Sequence, residues 1–277
     1  LVATPMLYFA SKMLDAPGAI MVTGSHNPPD YNGFKVVLRN APFWADDIQL
    51  LGCRAAAGDW RKGEGHSLPL DVMDAYVGRL AQDYRSDREL KVVWDAGNAS
   101  AGPALLELVQ RLPGHHVVMH EEVDGTFPAH HPDPTMPENL SDLIKNVRGL
   151  GYDIGLAFDG DGDRLGAVDG TGRIVWGDQL LAIYAAELLE RRPGVEVIAD
   201  VKASQVLFDE VARLGGKPVM APPGHSVIKS MMADSGAPLA GEMSGHVFFA
   251  DGYYGYDDAI YAAIRLLDIV ARSGRSL

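Results

Sequence analysis

The sequence predicts an α/β protein built as successive domains of mixed, mostly parallel sheets flanked by helices. Short apolar runs alternate with segments of helical period, and such alternation favours sheets covered by helices. Three of the runs end in glycine-containing polar turns, at residues 23–33, 159–164 and 241–246. The length of 277 residues allows roughly two domains at about 150 residues each.

The elements follow in order. Thr4–Ala16 reads as a helix with apolar Met6, Leu7, Phe9, Ala10, Met13 and Leu14, and Pro5 suits its first turn. Strands at 19–22 and 34–38 flank the first polar turn, with Asn27, Pro28 and Pro29 stopping the first strand. Asp46–Gly58 reads as a short helix carrying the single Cys53, expected to be an inert, buried or half-buried thiol. The polar, glycine-rich Gly63–Pro69 is a candidate boundary. Beyond it come helix 71–84, strand Leu90–Trp94, a helix from Ala99, strand Val117–His120, helix Leu140–Leu150 and strand 153–158. A third unit from about Val175 holds helix Asp178–Arg191, strand Val195–Ala199, helix Ser204–Leu214, strand Pro218–Ala221 and helix Ser226–Ser235. Short strands then surround the turn at Glu242, and helix Asp257–Arg272 closes the chain.

Composition narrows the function. With 47% apolar and 22% charged residues the chain can bury sizeable cores. A net charge of −13 argues against nucleic acid, whose non-specific binding needs basic surface. No apolar run approaches the roughly 20 residues of a membrane helix. One cysteine cannot form an intramolecular disulfide, which points to a reducing, cytoplasmic setting.

The polar turns carry the chemistry. Ser25 lies on an exposed turn after the run Ala19–Val22, where a rigid strand can position a reactive group. Neighbouring residues on a turn usually project apart, so Ser25 and His26 alone do not make a catalytic pair; a plain capped turn is the alternative. In Asp159-Gly160-Asp161-Gly162-Asp163 the glycines let three carboxylates converge, and an oxygen-only cluster suits Mg²⁺. A solvated acidic turn is the plain alternative. An EF-hand fits poorly, since Arg164 and Gly170 occupy positions that need Gly and Glu. A haloacid-dehalogenase-type phosphatase fits poorly too, because Asp163 stands where those enzymes prefer Thr or Val. Gly241-Glu242-Met243-Ser244-Gly245-His246 gathers groups able to bind vicinal hydroxyls, although taken by itself it is an ordinary turn.

Together and in this order, the three turns resemble those of the α-D-phosphohexomutase family, in its bacterial phosphomannomutase/phosphoglucomutase branch. Tyr31–Lys35, Gly125–Pro128, Pro132–Pro134 and Gly224-His225 agree as well. Thr-Gly before Ser25 and Met after Glu242 look unlike phosphoglucosamine mutases, the alternative branch. The resemblance implies a phosphohexomutase-like fold: residues 1–70 as the later part of a phosphoserine domain 1, 71–174 as metal-binding domain 2, and 175–277 as sugar-recognition domain 3. Domain 4, which grips the distal phosphate in the family, is expected to be absent, as is the start of domain 1.

The resemblance further implies reversible phosphoryl transfer between the 1- and 6-positions of a hexose phosphate through a phosphoserine and a bisphosphate intermediate. Ser25, Lys35, Arg164 and His246 would be catalytic. Ser25, Asp159, Asp161 and Asp163 would hold Mg²⁺. Lys202, Gly224, His225, Glu242, Ser244 and His246 would bind substrate. Glucose 1,6-bisphosphate or an equivalent would serve as activator. A catalytically incompetent sugar-phosphate-binding fragment is the alternative for residues 1–277 alone. Sugar preference and oligomeric state stay open. His115, His116 and His120 read as surface or satisfied residues, and His130 and His131 as structural. Gly97–Gly102 resembles a phosphate-cradling turn, which a capped helix start explains equally well.

Overall fold

A computed structural model describes residues 1–28, 30–39 and 41–277; Pro29 and Asn40 lie outside the described residues. Helix α1 (Thr4–Met13) carries Pro5 in its first turn and buries Met6, Tyr8 and Phe9. It stops three residues short of the expected end, because Asp15 turns left-handed at φ +47° and the Ala16 N–H closes the helix on the Ser11 carbonyl at 2.9 Å. Strands β1 (Gly18–Val22), β2 (Phe34–Leu38) and β3 (Ala41–Phe43) form an antiparallel sheet. No helix separates these strands, so none can make the crossover that a parallel pair needs. Val22 pairs with Phe34, which makes 23–33 the hairpin loop that presents Ser25. Helix α2 (Asp46–Ala56) buries none of its residues, and Cys53 is exposed rather than buried or half-buried.

The second sheet follows α3 (Met73–Ala81) and takes the order β5-β4-β6-β7-β8. Strand β4 (Leu90–Asp95) lies parallel to β5 (Gly114–Met119) and β6 (Ile154–Phe158), with α4 (Gly102–Val109) and α5 (Ser141–Leu150) as crossovers. Strands β7 (Leu165–Asp169) and β8 (Ile174–Val175), absent from the sequence reading, add antiparallel hairpins. The aspartate loop is therefore the turn between β6 and β7.

The third unit begins with α6 (Gly177–Arg191), β9 (Glu196–Asp200), α7 (Gln205–Arg213), β10 (Lys217–Ala221) and α8 (His225–Ser235). It ends with β11 (Leu239–Gly241), β12 (Val247–Phe249) and α9 (Ala259–Ser273). Its sheet has the order β10-β9-β11-β12, parallel except for β12.

Helix α9 joins the last two units. Asp258 caps it by accepting the Tyr261 N–H at 2.9 Å, and Gly274 closes it at φ +69°. It packs against β6 and β7 as well as β12 and α6, so it is buried on nearly every side. Ile260, Ile264, Leu266 and Leu267 are wholly enclosed, each contributing about 1.5–3 kcal/mol relative to exposure. One hydrophobic core consequently runs from Met6 through Trp94 to Leu267. The loops at the carboxyl ends of β1, β6 and β11 meet at its edge, the place where α/β sheets receive ligands. Among the described residues, no helix is long and apolar enough to cross a membrane.

Candidate active site

Ser25 adopts φ +50°, which turns its side chain toward the aspartate loop. Its Oγ lies 2.8 Å from Asp159 Oδ2 and 3.0 Å from Asp161 Oδ1, across more than 130 residues of sequence. The approach is possible because Gly160 has no side chain: a Cβ there would sit 1.9 Å from the Ser25 carbonyl oxygen. Contrary to the expectation for neighbours on a turn, His26 Nδ1 is 3.3 Å from Ser25 Oγ. The ring's other nitrogen faces Arg164, 3.5 Å away.

The aspartate loop is buried and wired to each unit. Asp159 Oδ1 accepts the backbone N–H groups of Asp163 and Arg164 at 3.0 and 3.1 Å, closing the turn. Thr4 donates its hydroxyl to Asp161 at 2.7 Å. Lys35, from β2, reaches Asp161 at 2.7 Å and Asp163 at 2.5 Å. Burial works against its charge, but these two carboxylates hold its pKa well above the ordinary lysine value. Burial also pushes Asp161 up, yet Lys35 and the hydroxyl donors prevail and bring it down to about 2. Asp159 moves the other way: burial first, then repulsion from Asp163 and Asp161, raise it well above the usual carboxylate range. Lys35 and Arg164, the latter 4.0 Å from Asp159, still leave the three enclosed carboxylates in excess.

The three carboxylates offer oxygens within 4.8 Å of one another, and Asp163 Oδ1 is buried with no hydrogen-bond partner. An orphaned oxygen in an all-oxygen, over-charged cluster fits a hard divalent cation such as Mg²⁺. Asp159, Asp161 and Asp163, with Ser25 beside them, are the residues that would hold it.

The third unit closes the far side. Arg164 and His246 form an antiparallel backbone bridge, and the Leu165 N–H donates to the Gly245 carbonyl at 3.0 Å. A Cβ on Gly245 would lie 2.6 Å from Leu165 O, and its φ is +95°, so glycine is needed there. Arg164 Nε donates to His246 Nε2 at 3.1 Å. His246 Nδ1 lies 3.2 Å from Asp257 and 3.5 Å from Asp163. Its ring stacks on His225 with centroids 5.7 Å apart. Burial lowers His225 to about 3, so that ring is neutral near pH 7. Glu242 is buried and accepts the Gly224 N–H at 2.7 Å, while Ser244 is half-buried.

Ser25, Lys35, Asp159, Asp161, Asp163, Arg164, His246 and His225 are thus brought together, with Gly224, Glu242 and Ser244 along one wall. Lys202 stands apart: it is exposed and 3.4 Å from Asp200. Two residues that sequence reasoning missed join the cluster. Asp257 is wholly buried, 2.9 Å from Lys229, which in turn is 3.4 Å from the Tyr8 hydroxyl. The signal was the pair Asp257-Asp258: one carboxylate suffices for the cap of α9, leaving the other for a different partner.

Three family models match the chain, all described as phosphoglucomutase/phosphomannomutase alpha/beta/alpha domains: domain I over residues 1–52, domain II over 74–172 and domain III over 176–277. A phosphomannomutase/phosphoglucomutase of Pseudomonas aeruginosa is 45% identical over 99% of this chain and 59% of its own length. A phosphoglucomutase of Neisseria gonorrhoeae is 42% identical over 99% and 60%. The crystal structure of a phosphoglucomutase/phosphomannomutase family protein from Burkholderia thailandensis superposes with a TM-score of 0.94 at 47% identity, covering 98% of this chain and 61% of that one. The chain therefore spans about three fifths of the length of these relatives. With all three loops in family order and meeting in one cleft, the chain belongs to the α-D-phosphohexomutase family, in its bacterial phosphomannomutase/phosphoglucomutase branch.

Proposed function

We propose that the protein containing this chain moves a phosphoryl group between the 1- and 6-positions of a hexose phosphate, mannose or glucose, with Ser25 as the phosphorylated nucleophile. The observation that carries this reading is the placement of Ser25 Oγ against Asp159 and Asp161, with Lys35 bridging Asp161 and Asp163. Phosphoryl transfer is catalysed by in-line positioning and by cationic neutralisation of the equatorial oxygens. Lys35 and Arg164 line the approach to Ser25 and supply fixed positive charge. Mg²⁺ held by Ser25 and the three aspartates would add Lewis-acid neutralisation there.

In the forward direction the P–O bond to Ser25 breaks as one forms to a substrate hydroxyl, whose proton leaves to a nearby base. His246 would be that base: its Nδ1 faces Asp257 at 3.2 Å, and its Nε2 lone pair, which here accepts from Arg164 Nε, would take the proton once Arg164 turns to the phosphoryl oxygens. The resulting hexose 1,6-bisphosphate, which also serves as activator, reorients and returns its other phosphoryl group to Ser25. Glu242 and Ser244 would hold sugar hydroxyls in both orientations, with Gly224, His225 and His246 beside them. Lys202, exposed at the end of β9, would reach only a substrate group at the rim. The same reading divides the chain near residues 70 and 174; 59–72 contains neither helix nor strand.

Full-length protein incubated with glucose 1-phosphate, Mg²⁺ and a trace of glucose 1,6-bisphosphate tests this reading. Glucose 6-phosphate is the expected product. Release of inorganic phosphate in its place would identify a phosphatase and overturn the proposal.

A further inference from the structure

Three side chains outside the serine–aspartate cleft converge at the carboxyl end of β4. Asp95, the last residue of that strand, is wholly buried. Its Oδ1 is 2.9 Å from His120 Nδ1, and its Oδ2 is 2.9 Å from His130 Nε2. His120 immediately follows β5, whose Met119 pairs with Asp95, so strand register brings it there. His130 arrives from the loop after β5. The three donor atoms lie within 4.8 Å of one another, and the two rings meet edge to face at 5.2 Å.

The hydrogen bonds limit the state of His130. Its Nδ1 is 3.0 Å from the His131 carbonyl oxygen, which only accepts, so Nδ1 carries a proton. Its Nε2 faces a carboxylate oxygen, which also only accepts when ionised. That nitrogen therefore needs either a second proton or a cation beside it. A ring N–H given to a backbone carbonyl is the outer contact that orients a metal-ligating histidine. Asp95 is oriented similarly, since its Oδ1 accepts the Gly97 N–H at 3.0 Å. His120 is held at φ +51°, a conformation non-glycine residues rarely adopt, and the Asn98 N–H secures its carbonyl at 2.8 Å. The imidazole side chains remain 23% and 15% exposed, which leaves an ion a path from solvent.

We propose that Asp95, His120 and His130 form a second metal site, sharing no ligand with the aspartate loop, that takes Zn²⁺ or a similar borderline divalent cation. Two imidazoles and one carboxylate suit such an ion, whereas Mg²⁺ prefers oxygen alone. Ligation needs no electron transfer: the Nε2 proton of His130 goes to solvent, the Nδ1 proton of His120 is exchanged through solvent to that ring's own Nε2, and the two freed lone pairs go to the ion. The loop that carries His130 also sets His131 against His26, with ring centroids 6.4 Å apart. An ion at Asp95 would pin this loop beside the serine turn.

The test uses the whole protein, stripped with chelator, exposed to Zn²⁺ in excess Mg²⁺ and freed of unbound metal before elemental analysis. One Zn²⁺ per chain is expected, and Co²⁺ in its place should give the visible absorption of a low-coordinate nitrogen–oxygen site. His120→Gln and His130→Gln should each weaken Zn²⁺ binding by at least the ~10–100-fold seen when an outer-contact residue is lost, and Asp161→Asn should leave it unchanged. Anomalous diffraction at the zinc edge on wild-type crystals decides the matter even if the histidine variants do not fold: a peak beside Asp95 supports the site. No retained Zn²⁺, or a peak only at the aspartate loop, overturns it.

Discussion

Replacing Gly160 by alanine places a methyl group 1.9 Å from the Ser25 carbonyl oxygen and 2.6 Å from its carbonyl carbon. Ordinary contact begins near 3.4 Å, so the serine turn and the aspartate loop must separate by about 1.5 Å, the difference between 3.4 and 1.9 Å. The obstacle is backbone, which cannot swing aside as the end of a side chain can. Ser25 Oγ, now 2.8 Å from Asp159, would move beyond hydrogen-bond reach. A misplacement of about 1 Å at a reacting group costs on the order of 10²-fold in rate, so Gly160→Ala should lower kcat by at least that factor. Overpacking should cost about 1–3 kcal/mol of stability, leaving the fold intact. Gly149→Ala is the matched control: a Cβ there meets nothing within 4 Å, and alanine in a helix is favourable by about 0.5–1 kcal/mol. Mutase assays and circular dichroism on full-length variants supply the comparison. Wild-type kcat in Gly160→Ala would refute the claim that this glycine sets the spacing of the two loops.

Further outcomes follow from the same geometry. Mass mapping of freshly purified full-length protein should find one phosphate at Ser25, and Ser25→Ala should remove it together with turnover; phosphate at another residue alone would undo the assignment. Asp161→Asn removes a carboxylate shared by Lys35, Thr4 and Ser25, so it should shift the Mg²⁺ activation curve to higher concentration, whereas an unchanged curve would leave only a structural acidic turn. Burial raises Asp258 to about 6, although the Tyr261 N–H and two tyrosine hydroxyls resist the rise. The folded chain then holds that proton more tightly than an unfolded aspartate near 3.9, so this residue's contribution is fully present below about pH 4. It falls by about 3 kcal/mol as pH climbs through 6. Urea unfolding at pH 5 and pH 7 should show the loss, and Asp258→Asn should flatten it; equal slopes in both proteins would exclude Asp258 as the source.

Much of this arrangement was legible because each functional loop ends an apolar run and begins with glycine or a small polar residue. What escaped depended on partners distant in sequence. Strand β7 begins directly after the aspartate loop with Leu165-Gly166-Ala167-Val168, too short and small-sided to stand out until β6 pairs with it. Helix α2 shows an apolar pattern at Ile48, Leu51 and Cys53, yet its sequence could not reveal that none of its residues would be buried. The near-total enclosure of α9 arises from lying between two units, a relation that no local periodicity encodes. The sequence reads His120 as a surface or satisfied residue and His130 as structural; that both face the same carboxylate depends on the register of β4 and β5.

The bridge between Arg164 and His246 also bears on redesign. Because Leu165 and Gly245 share a main-chain hydrogen bond and too little space for a methyl group, the two turns form a single inheritable unit. An engineer altering either turn would have to transplant residues 159–165 and 241–246 as a matched set. A graft of the Glu242 turn alone would bring in a loop fitted to another host's Leu165, and its carboxylate, hydroxyl and imidazole would arrive out of register with the aspartates.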